Sequence, residues 1–486
     1  MKSLVKNTAA ISITEVLLIV VAIVRNKYLA VNIGPEGFGI YGLLQSFFSL
    51  VSIFAGGWLA GGVTKFTSEY SQKKDNATVR KIGSLSILVT TILSLIIILA
   101  LVIAQERIRD IFLSEKVLSI YFVLFSVSFL GTSLNPVFIA ILQGLKQVKS
   151  VVIFRIAISV VDIIFVLIFV SAFDLIGFFG SIFATSVITV IIVFIQFKRN
   201  VGSWLMPAFK ENITKYLLYF GLSSIFLGLL YLGGQYFLRI LILKNLDLSA
   251  LGLFQAGIGI VGYLGIVNRG ILFSYYPDIS ETMSSANRNG MINDYLRFVL
   301  ITNIPITIFA ILFGEQILLI LFSVKFLPLT KIFFWFALVH FFSSISTMFH
   351  TNLMGMGLIR NFTYFGIFGT LFLIAPPVLF IARFGLVTIA IGFLFSYLGT
   401  IPGYYWYLHR KTNFTFSKKV FRISIVAAVL ISLSIMCSDS LLVLRILCAI
   451  FTSLIVAFLL EKEEYSKLIA LVKVSGVDRV RQFLTK

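Results

Sequence analysis

Charged residues are scarce in this sequence. Asp, Glu, Lys and Arg make up 12% of its 486 residues and hydrophobic residues make up 59%, whereas a soluble domain carries about 25% charged residues. Uncharged runs of roughly 20 residues, long enough to cross a bilayer, recur along the whole length. The sequence therefore predicts an all-α polytopic membrane protein with about fourteen transmembrane helices. Numbered in chain order, the predicted spans are 7–31, 37–64, 82–104, 117–145, 150–171, 175–197, 216–238, 248–268, 298–322, 332–359, 361–382, 384–408, 423–438 and 440–460.

Cysteine, metal ligands and long loops are also scarce. The two cysteines, Cys437 and Cys448, fall in predicted membrane helices, so no disulfide framework is expected. No cluster of metal-ligating residues and no glycine-rich phosphate loop occurs, so we predict no metal site and no cofactor. The chain is not predicted to be an enzyme. A membrane polysaccharide polymerase or ligase, the alternative from a different class, would need a sizeable outer loop. The predicted outer connections are short, at 105–116, 172–174, 243–247 and 323–331.

Basic residues outnumber acidic residues 40 to 20, which gives a net charge of +20. If the N-terminus is inside and the spans alternate, 28 of the 40 basic residues fall on one side of the membrane, as the positive-inside rule describes for cytoplasmic segments. This distribution argues against nucleic acid as a partner, and it predicts that both termini are cytoplasmic. The other 12 basic residues are not explained by orientation and are the candidates for a function.

An internal repeat divides the chain. YGLLQS at 41–46 matches LGLFQA at 251–256 with an offset of 210, which aligns Arg25 with Gln235. We predict two six-helix lobes related by pseudo-twofold symmetry around a central cavity, as in parallel-repeat transporters, plus two C-terminal helices. The predicted parts are an N-terminal lobe at 1–197, a cytoplasmic linker at 198–215, a C-terminal lobe at 216–408, spans 13 and 14 at 409–460, and a cytoplasmic tail at 461–486.

Three predicted spans place an arginine on a polar face. At 100° per residue, Arg25, Arg239 and Arg269 each lie on a polar side of spans 1, 7 and 8. A cation near the centre of a membrane helix costs roughly 2.5–3.5 kcal/mol on insertion scales, so something must offset that cost. Span 10 also has a polar face that includes His340. This histidine is either a structural group or a proton relay. The polar residues predicted to line the cavity are Asn7, Tyr231, Gln235, Gln255 and His340.

Acidic partners for these cations are few. Glu15 and Asp162 lie inside predicted spans, and Glu15 is about 15 Å along the helix axis from Arg25, too far to pair with it. Ion pairs with these two residues can therefore neutralise only part of the positive charge. A cavity with surplus cations favours an anionic substrate, and arginine suits phosphate because its planar group forms bidentate hydrogen bonds.

Several segments resemble a known family. YLAVNIGPEGFGIYGLLQSFFSLV followed by GGVTKFTSEYSQ, and later LGLFQAGIGIV followed by SYYPDIS, are similar to the Wzx-type O-antigen and polysaccharide flippases. These belong to the multidrug/oligosaccharidyl-lipid/polysaccharide (MOP) exporter superfamily. The resemblance implies two lobes around a cavity that opens alternately to each side of a bacterial cytoplasmic (inner) membrane. It also implies that an undecaprenyl-diphosphate-linked oligosaccharide moves from the inner to the outer leaflet.

The same resemblance suggests roles and partners. Arg25, Arg239, Arg269 and Lys27 are expected to bind the diphosphate, although Lys27 can instead reach the outer headgroups. Transport is expected to be driven by a proton or sodium gradient, with Glu15 or Asp162 as candidate coupling residues. The expected partners are the lipid-linked oligosaccharide, membrane lipid, a polysaccharide polymerase and chain-length proteins.

Two further transporters remain open as alternatives. A multidrug exporter of the same superfamily shares the architecture, but a cavity for organic cations would be expected to contain carboxylates, which cations outnumber here. A lipid II flippase also needs cavity cations for a diphosphate, and the sequence separates it poorly from a polysaccharide flippase.

Overall fold

The structure is a computed structural model that describes residues 2–112, 118–202, 211–280, 285–438 and 440–459. All regular secondary structure in these ranges is helical, as predicted; the predicted tail at 461–486 lies outside them. The α-helices are α1 Lys2–Asn32, α2 Gly34–Ser52, α3 Leu59–Gln72, α4 Asn76–Ile103, α5 Gln105–Phe112, α6 Ser119–Gly144, α7 Val148–Asn200, α8 Glu211–Asn245, α9 Leu248–Leu264, α10 Ile266–Ser280, α11 Ser285–Leu312, α12 Gly314–Leu321, α13 Thr330–Gly355, α14 Ile359–Phe384, α15 Val387–Thr412, α16 Lys418–Cys437 and α17 Leu442–Leu459.

The helices confirm a polytopic membrane protein. Every predicted span falls on one or two of these helices. By length and hydropathy, nine helical segments of the described chain can cross a bilayer, or ten if the bent pair α9 and α10 forms one span. The count of fourteen stays a prediction, while the all-α polytopic class is confirmed.

Three helical segments are interrupted. A π-helical segment, Ile53–Gly57, joins α2 to α3, and a bend of 47° at Gly265 separates α9 from α10. Phe173 and Asp174 have non-helical backbone angles inside α7. The first and last turns of α7 meet, because Ser150 Oγ lies 2.9 Å from Asn200 Oδ1. Helix α7 is therefore a hairpin of two antiparallel helices, in agreement with the two spans predicted there.

The internal repeat extends over the helices of both halves, because unusual backbone positions recur in the same order. Lys146 and Gly357, which both have positive φ, lie just after the ends of α6 and α13. Asp174 and Gly385 also have positive φ, and each interrupts or ends the next helical run of its half. The separation along the chain is the same for the two pairs. Helices α6 and α7 therefore correspond to α13, α14 and α15.

Helices α1 and α8 correspond as well, and they fix the register near the start of each half. Asn32 ends α1 and Asn245 ends α8, and each donates to the carbonyl four residues back. With these two asparagines aligned, the residue that corresponds to Arg25 is Leu238, and not Gln235 as the single six-residue match indicates.

Three additional residues near the start of α2 explain this change of register. Nine residues lead from Asn32 to Tyr41, but only six lead from Asn245 to Leu251, so the first half has three more residues here, where α2 begins with Gly34-Pro35-Glu36. A local insertion of this kind shifts the helical register by most of a turn. The match at 41–46 is therefore valid for α2 and α9 but does not extend back into α1.

The described chain packs as two compact units, one reaching to Ile240 and the other beginning at Leu241. In the first unit, α6 packs tightly against the second half of α7. A Cβ at Gly131 would meet the side chain and backbone of Ser186, and Ser186 Oγ accepts from the Gly131 N–H at 3.0 Å. Only glycine permits this close approach, which sets one wall of the site described below. The predicted lobe boundaries stay predictions.

Candidate substrate site

A polar cavity of about 380 Å³ lies inside the first unit. Its walls come from α1, α2, α6 and both halves of α7, so it is formed within helices that are otherwise apolar. The lining residues are Arg25, Tyr41, Gln45, Phe48, Ser49, Ser52, Phe125, Gly131, Thr132, Asn135, Ile158, Ser159, Asp162, Ile182, Thr185, Ser186 and Thr189. Its volume lies at the lower end of the range for small-molecule sites, about 300–1,000 Å³.

Arg25 is held in this cavity by a carboxylate and two aromatic rings. Its Nε lies 2.7 Å from Asp162 Oδ2, and the side chains are 16% and 22% exposed. The guanidinium carbon lies 5.5 Å from the ring centre of Phe178 and 6.0 Å from that of Tyr41. These contacts offset the cost of placing the cation among membrane helices, and a cation over an aromatic face contributes about 0.5–2 kcal/mol.

Helical periodicity explains why these residues share one cavity. Gln45, Ser49 and Ser52 follow steps of four and three along α2, so they lie on one face. Ser159 and Asp162 are three residues apart on the first half of α7. On α6, Pro136 lacks an N–H, which frees the carbonyl of residue 132, four positions earlier, in the cavity wall. Neighbouring helices or cavity water must satisfy such a carbonyl.

Most hydroxyl groups of the wall already donate to the backbone. Ser49 donates to the Gln45 carbonyl at 2.7 Å, and Thr189 donates to the Thr185 carbonyl at 2.8 Å. A hydroxyl that donates in this way still accepts through its oxygen. The side chains of Asn135 and Ser159 make no hydrogen bond with the described residues, so they are available to a ligand or to water.

Arg239, predicted for the diphosphate site, is buried against its own helix. It is 7% exposed, and its Nη1 donates to the backbone carbonyl of Gln235 at 3.0 Å and to the side-chain Oε1 of the same residue at 3.3 Å. Gln235 therefore serves as a partner for Arg239. Tyr231 on the same helix is 59% exposed. These three residues do not line the cavity of the first unit.

Arg269 lies at the bend between α9 and α10. It is exposed, and its Nη2 donates to the carbonyl of Gly262 at 3.2 Å across the bend. The last carbonyls of a helix lack helical partners, so this contact stabilises the C-terminal end of α9. Gln255 is half-buried on α9, and Lys27 is half-buried on α1 outside the cavity lining. Their predicted binding roles stay predictions.

His340 is fully buried in the second unit, with 0% of its surface exposed. Neither ring nitrogen has a hydrogen-bond partner among the described residues. Next to it on α13, Ser344 Oγ lies 3.2 Å from Asn303 Oδ1 of α11. In this conformation the imidazole is packed inside the unit and is not on an open cavity surface. The side chains of Asn7 and Glu15, also predicted for the site, lie outside those that the structure describes.

Sequence reasoning missed several residues of the wall. Gln45, Asn135, Ser159 and Thr185 line the cavity, yet none was predicted. The available signal was the spacing of polar residues on α2 and α7. That signal has little specificity, because serine and threonine in membrane helices commonly donate to their own backbone. Asp162 was predicted for ion coupling, and the structure pairs it with Arg25.

These features define a polytopic membrane protein with a charged, polar site enclosed by apolar helices. The sequence matches the family described as "Polysaccharide biosynthesis protein" over residues 4–283. The match spans more than half of the chain and covers the cavity residues. The chain belongs to this family. No curated protein sequence matches the chain.

Solved structures of MOP superfamily transporters share the fold. An inward-facing multidrug resistance MATE family transporter is 15% identical with a TM-score of 0.69, over 86% of this chain and 99% of that one. The lipid II flippase MurJ, in an inward closed conformation, is 16% identical with a TM-score of 0.67, over 94% of this chain and 99% of that one. A MOP superfamily transporter from Pyrococcus furiosus, described as having a binding pocket of reverse polarity, is 15% identical with a TM-score of 0.63, over 84% and 95%. The sequence match therefore shows the polysaccharide biosynthesis family, and the solved structures confirm the predicted fold.

Proposed function

We propose that the protein is a flippase that moves an undecaprenyl-diphosphate-linked oligosaccharide from the inner to the outer leaflet of the bacterial cytoplasmic membrane. The observation that carries the proposal is the guanidinium of Arg25, which lies in a polar cavity among apolar helices and is held by a carboxylate. Membership of a polysaccharide biosynthesis family supports the substrate class. Multi-pass architecture and the superfamily fold support transport rather than covalent chemistry.

Arg25 is the proposed diphosphate ligand. Its Nε faces Asp162, and a diphosphate that enters the cavity competes with that carboxylate for the guanidinium. The planar guanidinium of arginine forms bidentate hydrogen bonds with phosphate oxygens, whereas the ammonium group of lysine acts only as a point charge. Arg239, Arg269 and Lys27 are proposed to contribute further positive charge, and Asp162 is a candidate proton-binding group once it leaves Arg25. Glu15 stays a second candidate for coupling.

The experiment measures polysaccharide export and protein amount in the same cells. Arg25→Ala should reduce export by at least about 100-fold, and Arg25→Lys should recover only part of it because lysine lacks the fork. Arg199→Ala is the matched control, because Arg199 is exposed in the last turn of α7 and outside the cavity. Normal export with Arg25→Ala at a normal protein amount would contradict the proposal.

The proposed orientation places both termini in the cytoplasm. Lys73 follows α3 and Lys411 lies in the last turn of α15; both are exposed. Single cysteines at these positions should react with a membrane-impermeant thiol reagent only after the cells are opened. Labelling of either position in intact cells would contradict the orientation.

A lipid II flippase is the second candidate function. The structure described as lipid II flippase MurJ aligns with 94% of this chain, more than the transporters above. Both substrates carry a diphosphate, so the Arg25 site accommodates either. Expression in cells depleted of their own lipid II flippase separates the two: restored growth favours lipid II, and restored polysaccharide export in a mutant that lacks this chain favours the oligosaccharide.

A further inference from the structure

The cavity of the first unit has no net charge. Arg25 and Asp162 are its charged residues, and they form an ion pair with a distance of 2.7 Å. The rest of the wall consists of amides, hydroxyls, aromatic rings and aliphatic side chains. An anion that binds at Arg25 must therefore displace Asp162, while the space beyond the ion pair favours an uncharged polar ligand.

The polar groups of that space both donate and accept hydrogen bonds. The Asn135 amide and the Ser159 hydroxyl have no partner among the described residues, and the Thr132 hydroxyl, which donates to the Phe129 carbonyl, can still accept. Asp162 uses Oδ2 for Arg25, which leaves its other oxygen as an acceptor. A ligand with several hydroxyl groups on one small ring can satisfy such a set, because each hydroxyl donates and accepts.

Aromatic rings complete the cavity wall. Phe48 and Phe125 both line the space, with ring centroids 4.6 Å apart, and Tyr41 lies beside Arg25. Sugar rings have apolar C–H faces as well as hydroxyl edges, so they pack on aromatic rings while they form hydrogen bonds. A volume of about 380 Å³ has room for a ligand of this size and not for a long glycan.

We propose that this cavity is a subsite for one uncharged sugar ring of the lipid-linked oligosaccharide, with Asn135 and Ser159 as the residues that bind its hydroxyl groups. The inference rests on the proposed function and adds a specificity site to it. The diphosphate binds at Arg25, and the sugar ring occupies the space between α2, α6 and α7. The remainder of the glycan lies outside this cavity.

Binding of two lipids to the purified, full-length protein tests the proposal. One probe is bare undecaprenyl diphosphate, and the other is the lipid-linked oligosaccharide extracted from cells that lack the chain. The wild type should bind the glycosylated lipid more tightly. Asn135→Ala should weaken binding of that lipid about tenfold and Ser159→Ala about threefold, as expected for lost hydrogen bonds, while the affinity for the bare lipid stays unchanged.

Ser133→Ala is the matched control, because Ser133 is a buried serine of α6 outside the cavity lining; it should change neither affinity. The subsite is overturned if Asn135→Ala leaves binding of the glycosylated lipid intact, or weakens both lipids equally. A wild-type protein that binds neither lipid would instead overturn the proposed function, and the subsite with it.

Discussion

The two halves of the repeat have the same sequence of helices but differ at one pair of positions. In the first half, Arg25 on α1 pairs with Asp162 on α7. By the alignments of α1 with α8 and of α7 with α14 and α15, the corresponding positions of the second half hold Leu238 and Leu373. These leucines are 0% and 4% exposed. One half carries an ion pair in a cavity, and the other carries buried leucines.

The ion pair is therefore a feature of the first half and not of the repeat as a whole. In the second half of the repeat, leucines stand at the two aligned positions. Burying a charged pair is often no better for stability than well-packed apolar residues of similar size. The pair in the first half is therefore better explained by binding than by folding, in line with the proposed role of Arg25.

Replacing the pair by the residues of the other half should have the largest effect. We expect Arg25→Leu with Asp162→Leu to abolish export while the protein amount stays near that of the wild type. Arg25→Leu alone should lower the amount, because it leaves the carboxylate without its cation. Export and immunoblot of the single and double variants measure both effects. Full export by the double variant would show that the pair is dispensable for transport.

Gly131→Ala should have the next largest effect. With Lys146 aligned on Gly357, the residue that corresponds to Gly131 in the second half is Phe342. The second half therefore lacks the glycine that permits the close approach of α6 to α7. The added methyl group would meet Ser186, and overpacking of this kind destabilises by typically about 1–3 kcal/mol. Thermal unfolding of the purified protein measures the loss.

Gly270→Ala is the control for that substitution. A Cβ at Gly270 of α10 has nothing within 4 Å, so alanine should leave the unfolding temperature unchanged or raise it, because alanine favours a helix more than glycine does. An equal loss of stability in both variants would contradict the packing argument.

Arg269→Ala should have the smallest effect. The guanidinium donates to the Gly262 carbonyl at the bend after α9, and a cation near a helix C-terminus contributes roughly 0.3–1 kcal/mol. We expect a small fall in the unfolding temperature and a weaker loss of export than with Arg25→Ala. Arg269→Lys should restore stability if charge alone matters at this bend. A loss of export as large as that of Arg25→Ala would show that the diphosphate depends on both cations.

Much of the architecture could be predicted from the sequence, because a segment that spans a bilayer must be apolar and must satisfy its own backbone hydrogen bonds. Uncharged runs of the right length predict helices, and the helices occur at the predicted positions. The hairpin at Phe173 and Asp174 agrees with the two predicted spans, 150–171 and 175–197, and the short connection between them. The repeat was visible from a single short match, but its register in α1 was wrong, since a match of six residues does not reveal three additional residues that precede it.

The candidate site was only partly predictable. Arg25 could be singled out from the sequence, because a cation in an apolar membrane helix is energetically costly unless a partner or a polar cavity offsets the cost. Its partner Asp162 is far away in the sequence, and only the packing of α1 against α7 brings the two together. Asn135 and Ser159 gave no distinctive signal, since single amides and hydroxyls occur on many membrane helices.

The sequence by itself determined the membrane class, the helices, the repeat and the presence of arginines that need partners, because hydropathy and charge act locally along the chain. Tertiary structure alone decided which arginine meets a carboxylate, which one bonds to its own helix and which one caps a bend. It also decided that a neutral polar cavity forms beside Arg25. The physical reason is that the environment of a charge in a membrane protein depends on the helices packed around it, and that packing is set by close approaches such as Gly131 against Ser186.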